Sequence, residues 1–179
     1  LRDRNVKSSL RHIRIRQLAG MNRWARKLYT AGEHPQRSWG HQVAGFSPGE
    51  ILEQRRHAGA ATGNNTSLRC LTTCIVFCYA HRKDPWQQSI SEIMLLWFKT
   101  LRHFTGDWMV DIGTAWSKAK QSICYDKGIL KNVCGLLGNV VYTLHSLGWN
   151  PLTFDSWRDR QGNTWAFTPG APFPTHLII

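Results

Sequence analysis

Three stretches between residues 86 and 147 repeat apolar residues at intervals of three and four, which is the pattern of a helix with one buried face. Asp84-Pro85 and Asp107 precede two of these stretches, and both are typical helix starts. Gly148 follows the third, where a C-terminal glycine cap belongs. The predicted helices cover residues 86–104, 108–125 and 129–147. Their predicted inward residues are Ile90, Ile93, Met94, Trp97, Phe98, Leu101, Ile112, Ala115, Trp116, Ala119, Ile123, Leu130, Val133, Leu137, Val140, Val141 and Leu144.

Other local patterns complete the predicted fold. Ser47-Pro48 with Glu50 forms a capping box that starts a helix running towards Gly63. Residues 67–81 favour a buried helix, although their β-branched residues allow a strand. Residues 30–47, rich in Gly, Pro, His and Ser, indicate a loop.

Towards the C-terminus, aromatic and polar residues alternate on both sides of Asp159-Arg160-Gln161-Gly162, which predicts a hairpin, and a Pro-rich tail follows. We therefore predict a mainly α protein, a bundle of about five to six helices with a small C-terminal β-hairpin and an irregular Pro-rich tail. The predicted division is a basic amphipathic helix at 1–31, a helical domain at 32–150, and a hairpin with its tail at 151–179.

The N-terminal segment concentrates the positive charge. Residues 1–37 carry ten Lys or Arg and two Asp or Glu, a net charge of +8 within a total of +12. The spacing of apolar residues in 5–29 predicts one amphipathic helix, and Gly32 and Pro35 are predicted to end it. The predicted inward stripe of this helix is Val6, Leu10, Ile13, Gln17, Met21, Trp24 and Leu28.

A basic surface of this kind favours an anionic partner, either nucleic acid or an anionic membrane surface. We predict nucleic-acid binding, with RNA favoured over DNA, and the alternative is an ordinary solvated helix face. We expect Trp24 to lie in the core, and base stacking is its alternative role. The longest apolar run, residues 70–80, is too short to span a bilayer. The predicted nucleic-acid-binding residues are Arg11, Arg14, Arg23, Arg26, Lys27, Arg55 and Arg56.

Catalytic and metal-binding patterns are weak in this sequence. Cys70, Cys74 and Cys78 share one face of the predicted helix, and a zinc site would add His81, but we expect buried free cysteines instead. The remaining histidines are scattered, and we expect His34 and His41 to lie in a solvated loop. The carboxylates do not cluster as a two-metal site requires. We therefore predict no catalytic residues, no metal and no cofactor, and a small enzyme using His34 or His41 is a minor alternative.

Several short motifs follow one another in a familiar order. They are Gly32-x-x-Pro35-x-x-Ser38-Trp39-Gly40, Gly45-Phe46-Ser47-Pro48, Leu52 to Arg55-Arg56, Ala58 to Gly63, Ser67-Leu68, Asp84-Pro85, a Trp within 108–116, Leu147-Gly148-Trp149 and the hairpin Trp157 to Gly162. This order resembles the region that follows the polymerase domain in reverse transcriptases of non-LTR retrotransposons, especially divergent protist elements. The family pattern has Tyr-Gly-x-Glu where this chain has Trp39-Gly40 and Gln42.

The resemblance implies a thumb-like or connecting region that holds a template–primer duplex by its backbone and catalyses nothing itself. The polymerase Asp-Asp pair would lie outside such a region, and the chain has no adjacent Asp pair. A second hypothesis is a structural subunit of a large organellar ribonucleoprotein or membrane complex. The odd number of cysteines predicts a reducing, intracellular compartment, either nuclear or organellar.

Overall fold

The computed structural model describes residues 2–63, 70–103, 106, 108–124 and 133–167, which form a mainly helical protein with a small antiparallel sheet near the C-terminus. This confirms the predicted fold class. The helices are α1 (Arg2–Met21), α2 (Arg26–Leu28), α3 (His34–Ser38), α4 (His41–Ala44), α5 (Pro48–Ala60), α6 (Leu71–Tyr79), α7 (Pro85–Leu101), α8 (Trp108–Cys124) and α9 (Gly135–Ser146). The strands are β1 (Asn150–Pro151), β2 (Ser156–Arg158) and β3 (Thr164–Ala166). The described residues do not include Asp107, Leu130, the Ser67-Leu68 motif or the Pro-rich tail.

Helical structure replaces most of the loop predicted for residues 30–47, and only residues 39–40 and 45–47 of that range are non-helical. A π-helical turn (Tyr29–Glu33) leads directly into α3, and α4 follows. Pro35 lies in the first turn of α3, where its missing N–H is not needed by the helix. Tyr29 and Glu33 are both about 1% exposed, so burial of this segment overrides its loop-like composition.

The first helix also ends earlier than Gly32. Asn22 adopts an extended conformation, and its side chain accepts a hydrogen bond from the backbone N–H of Trp24 at 2.9 Å. A 3₁₀ turn (Arg23–Ala25) then begins a separate helical segment. Asparagine side chains compete in this way with helix continuation, which explains the break.

The chain folds into two compact units. Unit 1 contains Leu1–Gly40 and Phe46–Ser89, and unit 2 contains His41–Gly45 and Ile90–Ile179. No helix of the described residues is both long and apolar enough to cross a bilayer.

Unit 1 has a small apolar core. Its buried members are Ile15, Tyr29, Ala58, Ala61 and Ile75, with Leu71 and Tyr79 packed against them. Gly63 lies after the end of α5 with a φ of +76°, and a β-carbon there would overlap the backbone carbonyl of Ala19 in α1. The close approach of these two backbones therefore requires glycine.

The buried face of α1 is not the predicted one. Ser8, Ile15 and Ala19 are buried, whereas Leu10, Ile13 and Met21 are exposed, Met21 to 87%. The predicted inward stripe is therefore wrong for these residues and for Gln17, Trp24 and Leu28, which are also exposed. The inward face carries small and polar side chains, and hydrophobic periodicity does not mark such a face.

Unit 2 has the larger core, and the sequence predicted most of it correctly. Its buried members are Ile90, Ile93, Met94, Trp97, Leu101, Ile112, Trp116, Ile123, Val140, Val141, Leu144 and Trp157. Ala115 is exposed, contrary to the prediction. Two hydrogen bonds close the end of α9, from Gly148 N–H to His145 and from Trp149 N–H to Leu144. These bonds, with a φ of +74° at Gly148, confirm the predicted glycine cap.

The C-terminal hairpin is confirmed as β2 and β3, and β1 adds a third antiparallel strand. The Asp159 carboxylate organises the turn by accepting hydrogen bonds from the backbone N–H groups of Gln161 and Asn163 at 2.8 and 2.9 Å. It also accepts the indole N–H of Trp165 at 3.0 Å. These hydrogen bonds lower the pKa of Asp159.

Candidate nucleic-acid interface

The cations of α1 predicted to bind nucleic acid lie on its exposed side. Arg11 and Arg14 are exposed, and so are Arg23 and Lys27 in the two segments that follow α1. Among the described residues, no carboxylate pairs with any of these four cations. Within the part of the chain whose side chains are described, no ion pair neutralises their charge. Arg26 is half-buried.

Trp24 lies among these cations and not in the core. Its side chain is 52% exposed, so the expectation that it is buried is wrong. The Nζ atom of Lys27 lies 4.5 Å from the ring centroid, and the guanidinium carbon of Arg23 lies 5.3 Å from it. An exposed indole with adjacent cations combines a stacking surface for a base with charges for its phosphates.

A groove of about 340 Å³ lies beside Arg11 and Arg14, between α1 and residues 28–32. Its lining consists of Arg11, Arg14, Ile15, Leu18, Leu28, Ala31 and Gly32. A β-carbon at Gly32 would lie 3.2 Å from an Nη atom of Arg11, so the glycine gives this guanidinium room to lie close to the backbone. The groove thus places two guanidinium groups over an apolar floor. We call Arg11, Arg14, Arg23, Trp24 and Lys27 the basic surface.

Arg55 and Arg56 have different environments. Arg55 donates two hydrogen bonds to Asp84, at 3.2 and 2.9 Å, and one to Thr72 at 2.6 Å. Most of its donors are therefore already used within unit 1. The carboxylate of Asp84 also accepts the N–H of Trp86 at 2.9 Å, which confirms the predicted cap of α7. Arg56 is exposed.

A buried ionic cluster in unit 1 was not predicted. Glu33 is 1% exposed and receives one histidine on each carboxylate oxygen. The Nδ1 atom of His12 lies 3.2 Å from one oxygen, and the Nδ1 atom of His57 lies 2.7 Å from the other. The two imidazole rings stack, with centroids 3.8 Å apart and planes 10° apart. These three side chains form the His–Glu–His cluster.

Arg37 and Glu53 flank the cluster. Arg37 is buried and pairs with the half-exposed Glu53 at 2.6 Å. An Nη atom of Arg37 also lies 3.3 Å from His57 Nδ1, but the shorter 2.7 Å contact requires that Nδ1 carry a proton and donate it to Glu33. The arginine contact is therefore a close approach of two donors and not a hydrogen bond.

The cluster holds Glu33 in its charged form. Burial raises the pKa of Glu33, but the hydrogen bonds from His12 and His57 outweigh burial, and the pKa lies below its ordinary value. The hydrogen bond from Arg37 likewise lowers the pKa of Glu53. Unit 1 therefore keeps a negative charge in its interior.

Sequence patterns did not reveal this cluster because its members are far apart along the chain and Glu33 falls in the segment predicted as a loop. The only local indication is that Ser8, His12, Ile15 and Ala19 share one face of α1.

His34 and His41 are buried at 4% and 3% exposure, so the expected solvated loop is wrong for both. They belong to different units. His34 stacks on Tyr29, and His41 lies 3.5 Å from Glu92.

The cysteines differ from the prediction as well. Cys70 is exposed, and Cys74 and Cys78 are half-buried, so they are not buried core residues. All three are free thiols.

In comparisons with known proteins, no family model matches the chain, and neither a curated protein nor a solved structure shows significant similarity to it.

Proposed function

We propose that the chain binds nucleic acid, RNA in preference to DNA, through the basic surface. The observation that carries this proposal is the exposed Trp24 ring with Lys27 and Arg23 beside it. In this proposal phosphates contact the four cations and a base stacks on Trp24. Neither type of contact reads the sequence of bases, so the expected binding is sequence-tolerant.

The unneutralised cations support the phosphate contacts. A cation that binds a phosphate releases a counterion, and binding to a single strand weakens with salt by a log–log slope of about −0.7 per contact. Four such contacts give a slope of about −3. Arg55 contributes little in this proposal, because its ion pair with Asp84 would have to break first.

Fluorescence anisotropy of the full chain with labelled single-stranded RNA, duplex RNA and duplex DNA across a salt series tests the proposal. The variant Arg11→Gln/Arg14→Gln/Arg23→Gln/Lys27→Gln should reduce the salt slope by about 3. The matched control removes four other exposed cations, through Arg82→Gln/Lys83→Gln/Lys99→Gln/Lys118→Gln. Equal losses in both variants would show that net charge alone drives binding and would contradict the proposed surface.

Trp24→Ala tests the stacking contact separately. Stacking of a base on an aromatic side chain contributes about 1–3 kcal/mol, and an unpaired base can stack more readily than a paired one. The variant should therefore weaken binding to single-stranded RNA more than binding to either duplex. Trp86→Ala, which removes another half-exposed tryptophan of unit 1, is the control.

The resemblance to the region after a reverse-transcriptase polymerase domain stays a prediction and refines this proposal. A region of that kind would hold an RNA–DNA hybrid by its backbone. Adding an RNA–DNA hybrid duplex to the anisotropy series tests this refinement. We expect the chain to bind the hybrid at least as tightly as it binds duplex DNA.

A second candidate function is that of a structural subunit in a ribonucleoprotein assembly. The exposed apolar side of α1, formed by Leu10, Ile13 and Met21, favours it. Such a strip is typical of a surface covered by a partner. A folded chain that binds none of the nucleic acids at low salt would favour this second function over the first.

A further inference from the structure

We propose that the His–Glu–His cluster of unit 1 is a binding site for one divalent transition-metal ion of the zinc class. Two imidazole nitrogens and one carboxylate oxygen form a donor set that zinc and neighbouring first-row ions prefer. The site is independent of the basic surface, because His12 lies on the inward face of α1.

The ligand atoms already converge. One atom from each of His12, Glu33 and His57 lies within 4.8 Å of the other two. A tetrahedral ion with bonds of about 2.0–2.1 Å holds its ligand atoms about 3.3 Å apart. His12 Nδ1 lies 3.2 Å from one Glu33 oxygen, and His57 Nδ1 lies 2.7 Å from the other. The carboxylate therefore has to turn for one of its oxygens to meet an ion that both nitrogens share.

The imidazole rings must tilt for the ion to enter. Their planes are nearly parallel, so the lone pairs of the two Nδ1 atoms would not meet at one point without rotation. The required motion is a rotation about χ2 of each histidine, a torsion with a broad minimum. The histidine side chains are 12% and 15% exposed, which leaves the ion a route from solvent and a fourth position for a water molecule.

The Glu33 carboxylate supplies the negative charge of the site, where it is buried with imidazole donors. An Nη atom of Arg37 lies 3.3 Å from His57 Nδ1, so this guanidinium, which is paired with Glu53, has to turn away from Nδ1 when the ion enters. On binding, each Nδ1 gives up its proton to the solvent and bonds the ion, and Nε2 takes a proton in exchange. The Nε2 atom of His57 lies 3.7 Å from Glu53, which can accept that proton's hydrogen bond. Carboxylates commonly orient metal-binding histidines in this way.

Cobalt(II) titration of the full chain, followed by zinc competition, tests the site. One equivalent of cobalt should give the visible absorption of a nitrogen- and oxygen-ligated ion, without the near-ultraviolet charge-transfer band that thiolates such as Cys70 would produce. Glu33→Gln and His57→Gln should each weaken binding by more than about a hundredfold. Glu53→Gln should weaken it by about 10–100-fold, as expected for a partner of a ligand. His81→Gln, a change at an exposed histidine of the same unit, should leave it unchanged.

X-ray absorption at the zinc edge of the wild-type chain gives a result that does not depend on the folding of any variant. The expected first shell contains two imidazoles with oxygen and no sulfur near about 2.3 Å. Failure to bind either metal, a sulfur shell, or unchanged affinity in a folded Glu33→Gln variant would overturn the proposal.

Discussion

Unit 2 is built around tryptophans, whereas unit 1 contains a buried carboxylate, a buried guanidinium and the imidazoles of His12, His34 and His57. In unit 2, Trp97 and Trp116 stack with ring centroids 5.7 Å apart, and Trp157 packs against Phe98 at 5.4 Å. In unit 1, Glu33 and Arg37 are 1% and 7% exposed, which is within the range of the core residues. Buried charges need partners, so the stability of unit 1 depends on a few specific contacts, while that of unit 2 depends on apolar area.

The largest expected effect tests the apolar half of this comparison. Trp116→Ala should lower the free energy of unfolding of unit 2 by about 3–5 kcal/mol, because the side chain is 2% exposed and leaves a large cavity. Denaturant unfolding measures the loss. Trp108→Ala in the same helix is the control, since Trp108 is 64% exposed and its removal should change stability by less than about 0.5 kcal/mol. Similar costs for both tryptophans would contradict the assigned core.

The second-largest expected effect tests the dependence of unit 1 on its buried charges. Glu33→Gln removes the charge that accepts both histidine hydrogen bonds and should destabilise unit 1 by about 1–3 kcal/mol. Denaturant unfolding of Glu33→Gln, alone and combined with Trp116→Ala, measures the loss. Because the two residues lie in different compact units, the two losses should add.

The loss of stability at acidic pH should be smaller in a variant without the Glu33 and Glu53 carboxylates than in the wild type. The pKa values of Glu33 and Glu53 lie below their ordinary value of 4.5, so folding releases protons and the stabilisation is complete above about pH 5. It is lost as the pH falls through the lowered values. Midpoints of unfolding between pH 6 and pH 3 should therefore fall less steeply for Glu33→Gln/Glu53→Gln than for the wild type. An unchanged slope would mean that other carboxylates dominate the acid response.

A backbone contact distinguishes two glycines of unit 1 that share a positive φ. Gly63→Ala should destabilise unit 1 by more than Gly40→Ala, although both glycines have a positive φ near 80°. The conformational cost is shared and amounts to about 1–2 kcal/mol, whereas only Gly63 faces the backbone of Ala19. Thermal unfolding of the two variants compares them, and equal losses would show that α1 does not approach this turn.

The comparison of the units also explains what the sequence could predict. In unit 2 the residues that the core needs are large and apolar, so their periodicity along α7, α8 and α9 identified them, as with Trp97 and Val140. In unit 1 the inward face of α1 carries Ser8, His12 and Ala19, which no hydrophobic pattern distinguishes from a surface. Apolar residues on the opposite side then produced a false stripe.

The candidate sites were predictable to different extents. The cations of the basic surface follow from charge alone, because most lysines and arginines are exposed. The exposure of Trp24 and the ion pair of Arg55 depend on tertiary contacts, so the sequence did not predict them. The His–Glu–His cluster joins residues more than twenty positions apart, and only the tertiary contacts among His12 in α1, Glu33 in the π-helical turn and His57 in α5 bring them together. The division of the chain at 1–31, 32–150 and 151–179 stays a prediction.

The orientation of α1 underlies both proposals, since it turns the arginines outward and His12 inward. The most direct measurement compares Ile15→Val with Ile13→Val by denaturant unfolding, because the two isoleucines lie two positions apart on the same helix. Ile15 is 2% exposed and Ile13 is 53% exposed. The orientation described predicts a loss of about 0.5–1.5 kcal/mol for Ile15→Val and almost none for Ile13→Val. The reverse order would place the apolar stripe inward and contradict both the basic surface and the metal site.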